Sequence, residues 1–147
     1  MFSWLAKAIL TRNMARLREG DYRPLLRLDA KDIRFRFPGD SSWATEIDNR
    51  EDLERWLARF VATGLKIYPD EVIAQGPPWN MTLCVRGTDH LDTEEGRVYE
   101  NRYVIWGRMA WGLLREYEVY EDTSASSTLD EYLAGRDPTG GARGGGD

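Results

Sequence analysis

One cysteine and one histidine are all that this 147-residue chain holds of disulfide and soft-metal chemistry. A lone Cys84 excludes an intrachain disulfide and every paired-cysteine metal motif. With His90 as the single imidazole, a zinc centre built from several His and Cys has too few ligands, and no metal site is expected. A basic block is also missing: 20 Lys and Arg stand against 25 Asp and Glu, for a net charge of −5. Phosphate backbones are bound by clustered cations, so nucleic acid is not an expected partner. No apolar run approaches the length of a membrane span, and the chain reads as cytoplasmic. Nothing in it calls for a cofactor.

What is present is aromatic. Six Trp, seven Tyr and four Phe are a large payload for one domain of this length. Such rings bury much area each and often line small-molecule pockets. Residues 1–18 carry Lys7, Arg12, Arg16 and Arg18 without an acid, loosely like a transit peptide. Ser3 and Lys7 break the apolar stretch, however, and no small-residue cleavage site follows, so the segment reads as a first amphipathic helix.

The periodicities give an ordered set of elements. Phe2, Leu5, Ile9, Leu10, Met14 and Leu17 fall at helical spacing, and Gly20 stops the helix. Asp21 opens a short second helix with Pro24 in its first turn. Residues 32–38 alternate, with Ile33, Phe35 and Phe37 on one side and Arg34 and Arg36 on the other. Asp48 or Asn49 caps a third helix whose apolar stripe is Leu53, Trp56, Leu57, Phe60 and Val61. A strand over 65–74, bent at Pro69, precedes the break at Gly76-Pro77-Pro78. Then comes a meander of three long strands, roughly 79–92, 97–108 and 113–122. Strands of this length twist and bulge rather than lie flat. A last short helix is expected over 129–134, capped by Ser126 or Ser127, and a disordered Gly-rich tail over 135–147. The domain is therefore expected to be residues 1–134.

Helix, helix, strand, helix and a curved antiparallel meander, in that order, resemble the SnoaL-like branch of the nuclear transport factor 2-like superfamily. The residues that carry the likeness are Leu17-Arg18-Glu19-Gly20-Asp21, Ala30-Lys31-Asp32-Ile33, Phe37-Pro38-Gly39, and Trp111-Gly112-Leu113-Leu114 leading to Tyr120-Glu121-Asp122. The resemblance implies an α+β fold: a cone-shaped curved antiparallel sheet wrapped around about three N-terminal helices, with a short C-terminal helix, a pocket between sheet and helices, and commonly a dimer. It does not settle activity, because the family holds isomerases, cyclases, dehydratases, epoxide hydrolases and members without catalysis.

Which half of the meander faces the pocket is argued from charge. One set is Thr82, Cys84, Arg86, Thr88, His90, Tyr99, Asn101, Tyr103, Ile105, Tyr117, Val119 and Glu121. The other is Leu83, Val85, Asp89, Glu100, Arg102, Val104, Trp106, Glu116, Glu118, Tyr120 and Asp122, with many more charges. Unpaired charges are costly to bury, so the first set is expected inside. A slip of one residue would exchange the two. The expected ligand-binding residues are then Arg86, Thr88, Tyr99, Asn101, Tyr103 and Tyr117, with Phe35, Phe37 and Trp56. Glu121 and His90 are the candidate catalytic groups. Arg86 has two readings: an anchor for an anionic or carbonyl group, or a buried ion pair with Glu121. His90 reads as an acid–base group or as a rim residue. Leu83, Val85, Val104, Trp106 and Tyr120 would form an outer apolar patch through which a homodimer associates.

The family's known chemistries fit only in fragments. Where steroid isomerases of the family carry their base, protonated acid and tyrosine, this chain has Phe37, Ile105 and Asn13. Where the epoxide hydrolases carry an Arg, an Asp two residues on and a second Asp, it reads Arg86, Thr88 and Val119. The histidine pair of scytalone dehydratases is missing. The cyclases' carboxylate could correspond to Glu121 or Asp122. The expectation is a protein that binds a small, mostly apolar molecule with a polar end, either catalysing isomerisation, cyclisation or dehydration, or serving as a non-catalytic dimeric module.

Overall fold

A computed structural model describes residues 2–135. Helices α1 (Phe2–Arg18) and α2 (Arg23–Leu28) lead into strand β1 (Asp29–Phe37), a three-residue strand β2 (Thr45–Ile47), helix α3 (Arg50–Ala62), strands β3 (Lys66–Gln75), β4 (Met81–Thr93), β5 (Gly96–Ala110) and β6 (Leu113–Glu121), and helix α4 (Thr123–Ala134). The six strands form one curved sheet in the order β2-β1-β6-β5-β4-β3. Every neighbouring pair is antiparallel except β1 and β6, which run parallel. No described helix is long and apolar enough to cross a membrane. Apart from Gly135, the tail expected to be disordered lies outside the described residues.

Local chemistry explains most boundaries. Gly20 ends α1 at φ 92°, a left-handed conformation that costs glycine nothing. The Asn49 side chain accepts from the Asp52 backbone N–H at 2.8 Å and starts α3. The Asp122 side chain accepts from the Ser124 N–H at 3.0 Å and starts α4, earlier than the serine cap expected from the sequence. On β1, Ile33, Phe35 and Phe37 are buried and Arg34 and Arg36 exposed, as the alternation requires. β3 is irregular between Pro69 and Glu71, where proline cannot donate to the ladder. β2 had no sequence signal, since three residues carry too little alternation to read.

The register of the meander decides which side chains the helices cover. The β4–β5 hairpin turns through Glu94 and Glu95, with Thr93 opposite Gly96 and Asp92 opposite Arg97. Leu91 then stands opposite Tyr99, so Val98 is an extra residue on β5, a β-bulge. Beyond it Asp89 faces Asn101, Gly87 faces Tyr103 and Val85 faces Ile105. Met81, Leu83, Val85, Gly87, Asp89 and Leu91 are buried on the helix side, while Arg86 is exposed on the other. This overturns the expected face of β4. Arg86, Thr88 and His90, with Thr82 and Cys84, look outward, and Leu83 and Val85 belong to the core, not to an outer patch. On β5 and β6 the expected faces hold: Tyr99, Asn101, Tyr103, Tyr117 and Val119 are buried.

Candidate functional site

Between the sheet and helices α1, α3 and α4 lies a cavity of about 100 Å³. Each element supplies part of its wall. α1 gives Leu10, Met14 and Leu17; β1 gives Phe35 and Phe37; α3 gives Trp56, Leu57 and Phe60; α4 gives Ser126 and Leu129. Trp43, from the segment between β1 and β2, is 3 % exposed and closes the wall against Trp56 at 5.7 Å between ring centroids. Phe35 packs on Trp56 at 4.8 Å and on Tyr117 at 4.9 Å, and Trp56 stacks on Phe60 at 5.9 Å. This aromatic cluster makes most of the chamber apolar.

The polar end is built where β4, β5 and β6 meet α4. Asp89 is 2 % exposed and hydrogen-bonds to the carboxyl of Glu121. Two carboxyl groups can bond only through a proton held between them, so the pair carries one negative charge rather than two. Burial raises both pKa values, and for Glu121 the neighbouring Asp89 raises it further. Glu121 Oε2 is held by donation from Asn101 Nδ2 at 3.1 Å and from Ser126 Oγ at 3.1 Å. Asn101 Nδ2 also donates to Tyr99 Oη at 2.9 Å and to the Asp122 carbonyl at 3.0 Å. Burial raises the Tyr99, Tyr103 and Tyr117 hydroxyls above their ordinary range, so all three remain protonated. Asp89 Oδ1 and the Tyr103 and Tyr117 hydroxyls are buried without a protein partner, and all three residues line the cavity. Unsatisfied buried polar atoms of this kind cost stability unless water or a ligand meets them.

The structure thus gathers Glu121, Tyr99, Tyr103, Tyr117, Phe35, Phe37 and Trp56 around the cavity, with Asn101 buried just behind the acid pair. It does not bring Arg86, Thr88 or His90 there. Arg86 pairs across the outer surface with Glu71 at 3.0 Å, its side chain 65 % exposed, so neither the ligand anchor nor the pair with Glu121 survives. His90 lies on the outer side against Tyr68, with ring centroids 4.8 Å apart, and 3.8 Å from Glu100. Asp89 was missed because the face of β4 was inverted. Two signals pointed to it: Gly87 inside a strand, which marks close backbone approach, and the alternation of Met81, Leu83, Val85 and Leu91. With the register corrected, the inward residues two apart on β4 are Gly87 and Asp89 rather than Arg86 and Thr88, so the chamber has an acid in place of the expected arginine.

A second buried carboxyl lies apart from this end. Asp29 is 0 % exposed, neither oxygen has a partner, and burial pushes its pKa up to about 8 against the opposing pull of Arg50. It is near enough to Tyr117 to raise that hydroxyl as well.

Solved structures carry the same architecture. The chain is similar to an NTF2-like protein of unknown function from Burkholderia pseudomallei, at 19% identity over 81% of this chain and 92% of that chain, with a TM-score of 0.67. It is similar to PrhC from Penicillium brasilianum, at 14% identity over 89% of each chain and a TM-score of 0.71. It is also similar to TerC, co-crystallised with polyporic acid, at 24% identity over 80% of this chain and 91% of that chain, TM-score 0.65. No family sequence model and no curated protein sequence matches it. The chain has the α+β cone of the nuclear transport factor 2-like fold.

Proposed function

We propose that the chain is a SnoaL-like protein that takes a small, mostly apolar molecule into the chamber and transfers a proton on it, in an isomerisation, cyclisation or dehydration. The observation that carries this reading is the buried carboxyl pair of Asp89 and Glu121, which lines one end of a largely apolar cavity. A carboxyl whose pKa is raised toward neutrality can both take and return a proton at working pH. Glu121 is held by Asn101 and Ser126, and Asp89 Oδ1 is free to meet a ligand. The Tyr103 and Tyr117 hydroxyls are donors available to an oxygen on which charge develops. One similar protein, TerC, was crystallised with an organic acid, which is in keeping with a small-molecule chamber.

The competing reading is a non-catalytic dimeric module with a structural chamber. It draws on Leu129, which α4 inserts into the cavity. Val104, Trp106 and Tyr120, with Ile73, form an outer apolar strip that would serve as the dimer surface.

Turnover of a nitrobenzisoxazole, whose ring opens when a base removes one carbon-bound proton, separates the two. The catalytic reading expects a rate above buffer that falls at least about tenfold in the double variant Asp89→Asn, Glu121→Gln. Equal rates for wild type and double variant, both folded, sink it. Native mass spectrometry of the protein from its own host would show a retained ligand and its stoichiometry together.

A further inference from the structure

The chamber holds acids and rings but no base. Among the described residues that line it there is no Lys, Arg or His. The proton shared by Asp89 and Glu121 leaves one negative charge in an enclosure whose wall is otherwise nearly all hydrocarbon and aromatic. Asn101 and Ser126 donate to Glu121, yet Asp89 Oδ1, on a residue 2 % exposed, has no donor. Beside it in the register, one inward position along the hairpin, the Tyr103 hydroxyl is also unpartnered, with two acceptor lone pairs. A buried charge without a counter-charge is costly. The faces of Phe35, Trp56 and Tyr117 carry the negative side of the aromatic quadrupole, which attracts a cation and repels an anion.

We infer that the chamber takes an apolar molecule bearing one protonated amine, its ammonium seated on Asp89 and the Tyr103 hydroxyl and its hydrocarbon body among the rings. This rests on the chamber's being a ligand site at all, and it narrows that reading to a class of ligand. An anionic ligand would place a second negative charge beside the first. A neutral one would leave Asp89 uncompensated. The small cavity volume selects a compact body, on the scale of one ring.

Three probes of one shape test it. Benzylamine, benzyl alcohol and benzoate are titrated into the full chain at pH 7 and followed by amide and aromatic NMR shifts. The ammonium is expected to bind at least about tenfold more tightly than the alcohol, with benzoate moving no chamber signal. In Asp89→Asn the preference for the amine is expected to vanish while alcohol binding persists. Alcohol binding as tight as the amine's, or benzoate binding in the chamber, overturns the inference and leaves the chamber reading standing. If none of the three moves a chamber signal, both fall. The wild-type ranking alone decides the matter should the variant not fold.

Discussion

Gly87 and Tyr103 stand opposite each other on β4 and β5, and the tyrosine hydroxyl occupies the space a side chain on Gly87 would need. A methyl group built on Gly87 would lie 2.7 Å from Tyr103 Oη, 2.8 Å from Pro69 Cα and 2.2 Å from the Tyr68 carbonyl oxygen. Two of those atoms are backbone and cannot swing aside. Gly87→Ala is therefore expected to destabilise the fold by about 1–3 kcal/mol, measured by urea unfolding. A variant as stable as wild type would show that β3 does not cross so closely.

Asp29 sets a pH dependence. Its folded pKa is raised from 3.8 to about 8, so the folded chain binds its proton more tightly than the unfolded one. Stability from this group is complete below about pH 4 and is lost as pH rises toward 8. The Asp89–Glu121 pair, also raised, acts in the same direction. The melting temperature is expected to fall between pH 5 and pH 8. Asp29→Asn is expected to flatten part of that slope and to stabilise the chain at pH 8 by on the order of 1–3 kcal/mol. A flat or rising profile in the wild type contradicts the assignment.

Arg86 has a modest role. Its pair with Glu71 is exposed on both sides, and exposed pairs contribute roughly 0.2–1 kcal/mol. Arg86→Ala is expected to change stability by no more than that and to leave chamber binding untouched. Loss of ligand affinity in this variant would return Arg86 to the site.

Ser42 and Asp130 tie α4 to the segment that carries Trp43. The Asp130 carboxylate accepts from the Ser42 backbone N–H at 2.6 Å and its hydroxyl at 2.5 Å, and Arg59 donates to the Ser42 carbonyl at 2.8 Å. Since α4 brings Ser126 to Glu121 and Leu129 to the cavity, loosening it opens the chamber. Asp130→Ala is expected to cost about 1 kcal/mol and to speed amide exchange in α4 selectively. Uniform protection across α4 would show that the tie is dispensable.

Much of this was legible in the sequence. The alternation of β1 placed Ile33, Phe35 and Phe37 inside, the capping pair Asp48 and Asn49 located the start of α3 to within one residue, and the periodicities of β5 and β6 gave the chamber-side tyrosines, Asn101 and Glu121. β4 failed for a definite reason. Pooling the charges of three strands assumed that they share one parity, and the bulge at Val98 breaks it. Taken by itself, β4 has Met81, Leu83, Val85 and Leu91 on one side and Arg86 and His90 on the other, which is the observed answer. Asp89 was discounted as a charge too costly to bury. A proton shared with Glu121 removes one of the two charges, and no local pattern announces such a partner thirty-two positions away.

The bulge at Val98 gives the hairpin tip, far along the strands from the acid pair, a say in the chamber's chemistry. Were β5 to pair straight through Val98 without the bulge, every side chain that β4 offers the helices would be exchanged. Arg86 would then stand opposite Tyr103 in place of Gly87, and Thr88 opposite Asn101 in place of Asp89. One partly buried residue that does not itself line the cavity thus decides whether β4 turns an acid or a guanidinium toward it.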